Sequence, residues 1–369
     1  MNNLELFFVP LCRMNNLVRI GIIGLGQRGM ATLRRYEVIG EAQVVALADL
    51  SATRLDEARR TLEQQGRPAA TLYEGEGKWK DLCQDRNVNL VCVCTDWASH
   101  ARIGIYAMQQ GKDVALEVPA ATTVSECRQL VDTAKATGRY CTMLENCCYD
   151  TFHLGLMQMV QQGLFGEITH CEGAYIHDLR TDLGWVSYTV FEHMGNPYPT
   201  HGLGPACQLL DINRSDRLVS LVSMSALNKI NNTLLRTRRG RTILLQFDER
   251  TPRPYSRIQT LCATQGYAQK YPLPTLQLDG QQPLQGEEAQ AAVEAYHDAE
   301  TRHLIAEGRR LGVGNLMNYI MDRRLVSRLT NGLAPDISVY DAAVWSCVAE
   351  LTARSAERGG ALMEIPDFT

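Results

Sequence analysis

A strand-like run, Val18-Arg19-Ile20-Gly21-Ile22-Ile23, passes directly into Gly24-Leu25-Gly26-Gln27-Arg28-Gly29. An apolar run that ends in G-x-G-x-x-G and opens a helix leaves few folds available. Met30 to Glu37 reads as that helix, and Gln43 to Asp49 as a second strand closing on an acid. Asp49 stands about 20 residues beyond Gly29, where a dinucleotide fold sets its ribose ligand. Gly24 permits the tight turn, Gly26 lets backbone approach a pyrophosphate, and Gly29 lets the helix pack close to the strand. The helix N-terminus then offers free N–H groups to the phosphates, with Gln27 and Arg28 on the same turn. Asp49 favours NAD, because a carboxylate repels the 2′-phosphate of NADP.

Strand-like and helix-like segments continue to alternate up to about Cys148. Leu90 to Thr95 is a parallel core strand by its unbroken apolar run. His100 to Gln110 is a helix, Asp113 to Pro119 a strand, Thr123 to Thr137 a helix stopped by Gly138, and Tyr140 to Leu144 a strand. The expectation is a doubly wound α/β unit with its cofactor along the C-terminal strand ends. Those ends carry Gly24 to Gly29, Asp49, Thr95 to His100 with Trp97 among them, Glu117-Val118-Pro119, and Glu145-Asn146. Beyond Asp150 the pattern changes to a helix, Phe152 to Gln162, and five longer strands. These are Glu167–Tyr175, Arg217–Ala226, Asn232–Thr237, Arg241–Phe247 and Ile258–Thr264. They predict one open, mostly antiparallel sheet of an α+β domain. Gly280 to Gly286 reads as a polar loop. Helices Glu287–Gly308, Leu316–Asn331 and Val339–Arg358 close the chain. The division expected is an extension over 1–13, an NAD-binding domain over 14–150, and a substrate and oligomerisation domain over 151–369. Met14-Asn15-Asn16-Leu17 repeats Met1-Asn2-Asn3-Leu4, which leaves open whether translation starts at Met1 or Met14.

A net charge of −4 implies neither a nucleic-acid footprint nor a polybasic membrane patch. No run is long enough to span a membrane. The 12 cysteines contain no C-x-x-C, and several fall in strand-like runs. That is the profile of reduced, buried thiols in a cytoplasmic enzyme. The eight histidines show no ligand spacing, so no metal is expected.

The layout from Met14 onward resembles the Gfo/Idh/MocA family of nicotinamide-dependent sugar enzymes. Most members carry Glu-Lys-Pro after the fifth strand, where the lysine shuttles the substrate hydroxyl proton. Here that place reads Glu117-Val118-Pro119, and valine cannot hold a proton. Four further segments resemble one branch. They are Met143 to Tyr149 (MLENCCY), Tyr175 to Arg180 (YIHDLR), Tyr198 to Pro205 (YPTHGLGP) and Thr251 to Arg257 (TPRPYSR). Together they look like glycoside hydrolase family 109, the NAD-dependent α-N-acetylgalactosaminidases.

The resemblance implies a redox-neutral cycle on a sugar or glycoside. NAD⁺ takes hydride from C3, a base removes the acidified C2 proton, the aglycone leaves, water adds, and the hydride returns. The cycle accounts for the lack of an obvious pair of glycosidase carboxylates. His201 is the implied acid/base at the sugar hydroxyl, since an ordinary imidazole suits proton transfer near neutrality. Tyr175 is the implied base at C2, which requires a lowered pKa. Tyr198 and Tyr296 are the implied sugar contacts. Glu117 and Asn146 are expected at the nicotinamide ribose and carboxamide, with Trp97 and His100 flanking the cofactor. Two places depart from the family pattern: Val186 stands where a substrate-binding arginine is usual, and Gly314-Asn315-Leu316-Met317-Asn318 replaces H-G-G-M-D. Two rivals stay open, a sugar oxidoreductase with net hydride exchange and a non-catalytic NAD-binding sensor. A homo-oligomer is expected on family analogy.

Overall fold

The computed structural model describes residues 17–180, 194–227 and 230–369. The N-terminal extension and Val186 therefore lie outside the described residues. The first half builds β1 (Val18–Ile23), α1 (Gln27–Tyr36), β2 (Ala42–Asp49), α2 (Ala52–Gln64), β3 (Thr71–Glu74) and α3 (Trp79–Gln84). It continues with β4 (Leu90–Val93), α4 (Trp97–Gln109), β5 (Asp113–Leu116), α5 (Val124–Thr137) and β6 (Cys141–Met143). These six strands form one parallel sheet in the order β3-β2-β1-β4-β5-β6. The central strands are mostly apolar because helices cover both faces, and every residue of β4 and β5 is buried, Asp113 included. The strand order reverses between β1 and β4, which opens a crevice at their C-terminal ends.

A 3-10 turn (Asn146–Tyr149) and α6 (Thr151–Gln161) lead into the second sheet. Its strands are β7 (Ile168–Ile176), β8 (Leu218–Ser225), β9 (Asn231–Thr237), β10 (Thr242–Asp248) and β11 (Gln259–Ala263), followed by β12 (Gly266–Gln269), β13 (Thr275–Leu278), β14 (Leu284–Gln285) and β15 (Met363–Glu364). The order is β14-β13-β12-β11-β7-β10-β9-β8-β15. All neighbours run antiparallel except β7 and β10, which are parallel. The burial of β9 alternates strictly, as expected of a sheet with one face on the core and one outward.

Helix α7 (Thr200–Leu209) lies on this sheet, and α8 (Gly286–Glu294), α9 (Ala299–Arg310), α10 (Leu316–Thr330) and α11 (Val339–Glu357) follow. The single helix expected over Glu287–Gly308 is two. The chain leaves α8 after Glu294, and Asp298 caps α9 by accepting the Thr301 N–H at 2.7 Å. The expected polar loop over Gly280–Gly286 contains β14, which pairs with β13. Among the described residues no helix is long and apolar enough to cross a membrane.

The C-terminal helices return to the first sheet and fix the site from behind. On α10, Asp322 is fully buried and pairs with Arg35 of α1 at 2.6 Å. Asn318 stands one turn earlier on the same helix face. On α11, Ser346 accepts the Ala120 N–H at 3.1 Å, and Thr352 accepts the Asn196 N–H at 2.8 Å.

Candidate functional site

The dinucleotide end is built almost entirely from backbone. Gly24 adopts φ +88, and a Cβ there would meet the Cys94 carbonyl oxygen at 2.8 Å. A Cβ on Gly29 would lie 1.8 Å from the Gly24 oxygen. Gly26 starts α1 with no side-chain cap, so the first N–H groups of that helix face outward for an anion. The Asp49 carboxylate accepts the Leu25 N–H at 2.6 Å and the Ser51 N–H at 2.8 Å. A cleft of about 750 Å³ runs beside these groups, walled by Gly24, Gly26, Asp49, Arg54, Trp79 and Thr95. Closeness without side chains, free helix N–H groups and a ribose-type acid at the cleft together fit a dinucleotide. Gln27 and Arg28 are the first helical residues and both are exposed. Arg28 Nε lies 3.7 Å from Glu117, whose negative charge raises the pKa of the half-exposed guanidinium.

The other strand-end residues divide by role. Glu117 is buried, and Val118 packs into the apolar core ahead of Pro119. His100 is 1% exposed, with Nδ1 2.8 Å from the Pro119 oxygen and Nε2 3.1 Å from the Thr95 oxygen. It joins the chain after β4 to the chain after β5, because main-chain carbonyls take both ring nitrogens. Trp97 is buried and stacks on Tyr198 with ring centroids 5.6 Å apart and planes 14° apart. It therefore joins the start of α4 to the turn before α7.

The other end of the crevice, where the residues implied to meet a sugar fall, is built from side chains. Helix α7 can approach β7 because glycines meet: a Cβ on Gly173 would lie 2.4 Å from the Gly202 oxygen. A Cβ on Gly204 would press on Cys148 Sγ at 3.0 Å and Glu145 Cγ at 3.1 Å. This contact is why the H-G-L-G stretch lies flat on the strand, and it carries His201 to Glu145. His201 Nδ1 donates to Glu145 Oε1 at 2.7 Å, and the same oxygen accepts the Cys147 N–H at 3.1 Å. Around His201 stand Tyr198 at 4.8 Å and Tyr175 at 5.5 Å between ring centroids, both edge-on. Tyr198 Oη is 3.4 Å from His201 Nε2. Its N–H donates to Asn196 Oδ1 at 3.0 Å, so α11 holds this turn through Thr352 and Asn196.

The electrostatics differ from the expectation at both catalytic candidates. Burial lowers the pKa of His201, but the Cys147 sulfur and the Glu145 carboxylate outweigh it and push it up to about 10. The ring is an imidazolium at neutral pH rather than a poised base. Burial raises the Tyr175 phenol well above its ordinary value, the opposite of the lowered pKa that a base at C2 requires. Tyr175 Oη lies 3.2 Å from His177 Nδ1, a partner able to take its proton.

Asn146 Nδ2 donates to Asn318 Oδ1 at 2.8 Å. The departed segment thus reaches the site, and Met317 Sδ beside it lies 3.2 Å from Arg257 Nη1. Tyr296 sits after α8, partly buried against the core. Among the described residues it makes no hydrogen bond or ring contact with His201, Tyr175 or Tyr198. Sequence reasoning put Glu145 at a strand end without a role, and missed Cys147, His177 and Arg257 as members of the site. Cys147, His177 and Arg257 were visible only as letters inside MLENCCY, YIHDLR and TPRPYSR. Glu145, Cys147 and His201 bring possible ligand atoms within 4.8 Å of one another. The Arg257 guanidinium, 3.1 Å from the Cys147 sulfur, repels a dication there.

Comparison with known proteins adds independent findings. The family model described as glycosyl hydrolase 109, C-terminal domain, matches residues 149–230 and 227–369. The model described as oxidoreductase family, NAD-binding Rossmann fold, matches residues 18–144. Glycosyl hydrolase family 109 protein 2 of Phocaeicola vulgatus is 48% identical over 97% of this chain and 96% of its own. The α-N-acetylgalactosaminidase of Bacteroides fragilis is 44% identical over 96% of this chain and 92% of its own. Among solved structures, levoglucosan dehydrogenase in complex with NADH and levoglucosan has TM-score 0.74 at 18% identity, covering 96% of this chain and all (100%) of that one. At that identity the likeness concerns the fold.

Proposed function

The chain belongs to glycosyl hydrolase family 109, and on that premise we propose that it is an NAD-dependent enzyme that cleaves glycosides by oxidation at C3, elimination, hydration and re-reduction. The observation that carries the reading is the Glu145–His201 pair, at 2.7 Å, facing Tyr175 and Tyr198. Gly24 to Gly29 and the start of α1 would hold the phosphates, Asp49 the ribose, and Glu117 and Asn146 the nicotinamide end. Bound NAD⁺ supplies reversible hydride acceptance, the chemistry no side chain can perform.

The protein groups handle protons and charge. His201 first releases its Nε2 proton to solvent and takes the C3 hydroxyl proton as C3 is oxidised; the imidazolium so restored, held by Glu145, donates a charged hydrogen bond to the C3 oxygen, where negative charge gathers as C2 loses its proton. That withdrawal acidifies the C2 proton. Tyr175 accepts this proton while passing its own to His177 Nδ1, so a phenol of raised pKa still serves as a relay. Tyr198 walls the pocket between Trp97 and His201. The B. fragilis relative's name supports an N-acetylgalactosaminide as substrate, while the altered segment at Met317 and Asn318 argues for a modified sugar preference. A net sugar oxidoreductase is the second reading, favoured by that same rewritten segment. The same proposal takes 14–150 as the cofactor domain and 151–369 as the substrate domain. It includes work in the cytoplasm, supported by the free cysteines, and a homo-oligomer, supported by exposed Met224 and Leu234 on the second sheet.

The test is a screen of nitrophenyl α- and β-glycosides with and without NAD⁺, followed by product analysis in D₂O. Elimination and hydration put deuterium at C2 and leave the C3 hydrogen in place. Cleavage without C2 deuterium overturns the mechanism. NADH accumulating in step with product selects the oxidoreductase. NAD⁺ binding without turnover of any sugar leaves the sensor.

A further inference from the structure

Glu117 and Asn146 follow different strands of the first sheet, yet one helix of the second half backs both. Asn318, in the first turn of α10, accepts the Asn146 Nδ2–H through its Oδ1 at 2.8 Å. That turn is itself fixed, because Asn315 caps the helix by accepting the Asn318 N–H at 3.2 Å. The Asn146 amide is thus held by its nitrogen, while its oxygen lies on the side of Cys147, 3.5 Å from Sγ.

Asp322 stands one turn further along the same face of α10. Its side chain is fully buried and meets Arg35 Nε of α1 at 2.6 Å. The pair has a single arm. Arg35 Nη2 turns to Thr32 Oγ1 at 3.2 Å, and Arg35 Nη1 is buried with no hydrogen bond among the described residues. A buried pair with an unmet N–H recovers little of its desolvation penalty, and apolar residues of the same volume join two helices as well. Stability is therefore a poor reason for Asp322, and charge is a better one. Burial lowers the Arg35 pKa, but Asp322 and then Glu117 outweigh it and leave it raised. The guanidinium answers to both carboxylates. Glu117 also has the half-exposed Arg28 at 3.7 Å. With the Asp322 charge gone, the buried guanidinium falls to Glu117 and neutralises it further.

We propose that α10 is the positioning element of the nicotinamide end: Asn318 fixes the Asn146 amide, and Asp322 occupies Arg35 so that the Glu117 carboxylate stays available to the cofactor. The inference rests on the reading that Glu117 and Asn146 meet the nicotinamide end. Asn318 and Asp322 act through the residues they hold. Groups ordered before binding raise affinity, and a free carboxylate favours the cationic ring of NAD⁺ over the neutral ring of NADH.

The experiment measures binding by calorimetry on the full chain freed of nucleotide. The ligands are NAD⁺, NADH and ADP-ribose, which keeps both phosphates and both riboses but lacks the nicotinamide. Asn318→Ala is expected to weaken NAD⁺ by about fivefold to tenfold and ADP-ribose by less than about twofold. Asn318→Asp keeps an acceptor for the Asn146 amide and is expected to restore most of the NAD⁺ affinity. Asp322→Asn keeps the shape and removes the charge, so NAD⁺ is expected to lose about fivefold relative to NADH, with ADP-ribose again held. Asn146→Ala is the reference, and adding Asn318→Ala to it is expected to weaken NAD⁺ no further. Equal losses for NAD⁺ and ADP-ribose describe a merely structural helix and overturn the proposal. Normal NAD⁺ binding by Asn318→Ala, beside weakened binding by Asn146→Ala, also overturns it and leaves the cofactor placement standing. Unchanged NAD⁺ binding in both Asn146→Ala and Glu117→Gln removes the placement, and the proposal falls with it. Should Asp322→Asn fail to fold, the half-buried Asn318 decides. No arm needs turnover, so the result stands apart from whether glycosides are the substrate.

Discussion

The two ends of the crevice are made in opposite ways. At the dinucleotide end, Gly24, Gly26, Gly29 and Asp49 are close in sequence, and their task is to clear space and present backbone N–H groups. At the sugar end, Glu145, Tyr175, Tyr198, His201 and Arg257 come from separate elements and act through side chains. The first kind of site tolerates little change in shape but carries little chemistry of its own. The second depends on helices that pack from elsewhere, such as α11 behind Asn196 and α10 behind Asn146. The difference teaches that cofactor binding and turnover are separable by mutation.

The largest expected effect lies at the sugar end. His201→Ala is expected to cut turnover by roughly 10²–10⁴-fold and leave NAD⁺ affinity within about twofold, measured by steady-state kinetics and calorimetry. An equal loss of NAD⁺ affinity breaks the comparison. The pH profile sharpens it. The His201 pKa is raised, so the ring keeps its proton through neutrality and loses it as pH rises through about 10. Turnover is expected to decline on the alkaline side near that value. In Glu145→Gln the decline moves toward neutrality, because the carboxylate that holds the imidazolium is gone.

Next comes the backbone-built end. Gly29→Ala puts a methyl group against the Gly24 oxygen, which must move. NAD⁺ affinity is expected to fall by about 100-fold, on the order of 3 kcal/mol, without a change in the ring cluster around His201. Asp49→Ala is milder, a loss of about 1–3 kcal/mol in NAD⁺ binding by calorimetry.

The smallest effect concerns stability beneath the sugar end. His153 is fully buried, with its ring between Gln208 at 2.8 Å and Gln259 at 2.6 Å. Burial lowers its pKa to about 4, so between about 6.5 and about 4 the unfolded chain binds the proton more tightly. Stability is therefore expected to fall by on the order of 1–2 kcal/mol as pH drops through that window. His153→Gln removes this part of the acid sensitivity, as chemical denaturation at stepped pH will show, and an unchanged pH slope contradicts it.

Sequence by itself determined the cofactor turn and five of the six strands of the parallel sheet, and missed β3, whose mostly exposed Thr71–Glu74 carries no apolar run. Buried strands repeat apolar residues without a break, and the turn's glycines act through their own φ and their own lack of a side chain. It also determined the five long strands of the second sheet to within a residue or two, since each alternates or runs apolar over many positions. Short β12 to β15 and the break between α8 and α9 carry too little period to announce themselves. His201, Tyr175 and Tyr198 were legible through strings resembling a family, but their states were not. Whether a histidine is a base or a cation depends on an acid that sits 56 positions away in the chain and 2.7 Å away in space. Whether a tyrosine is activated depends on how deeply the fold buries it. Tertiary structure decided both, because burial and charge pairing are properties of neighbours that only packing brings together.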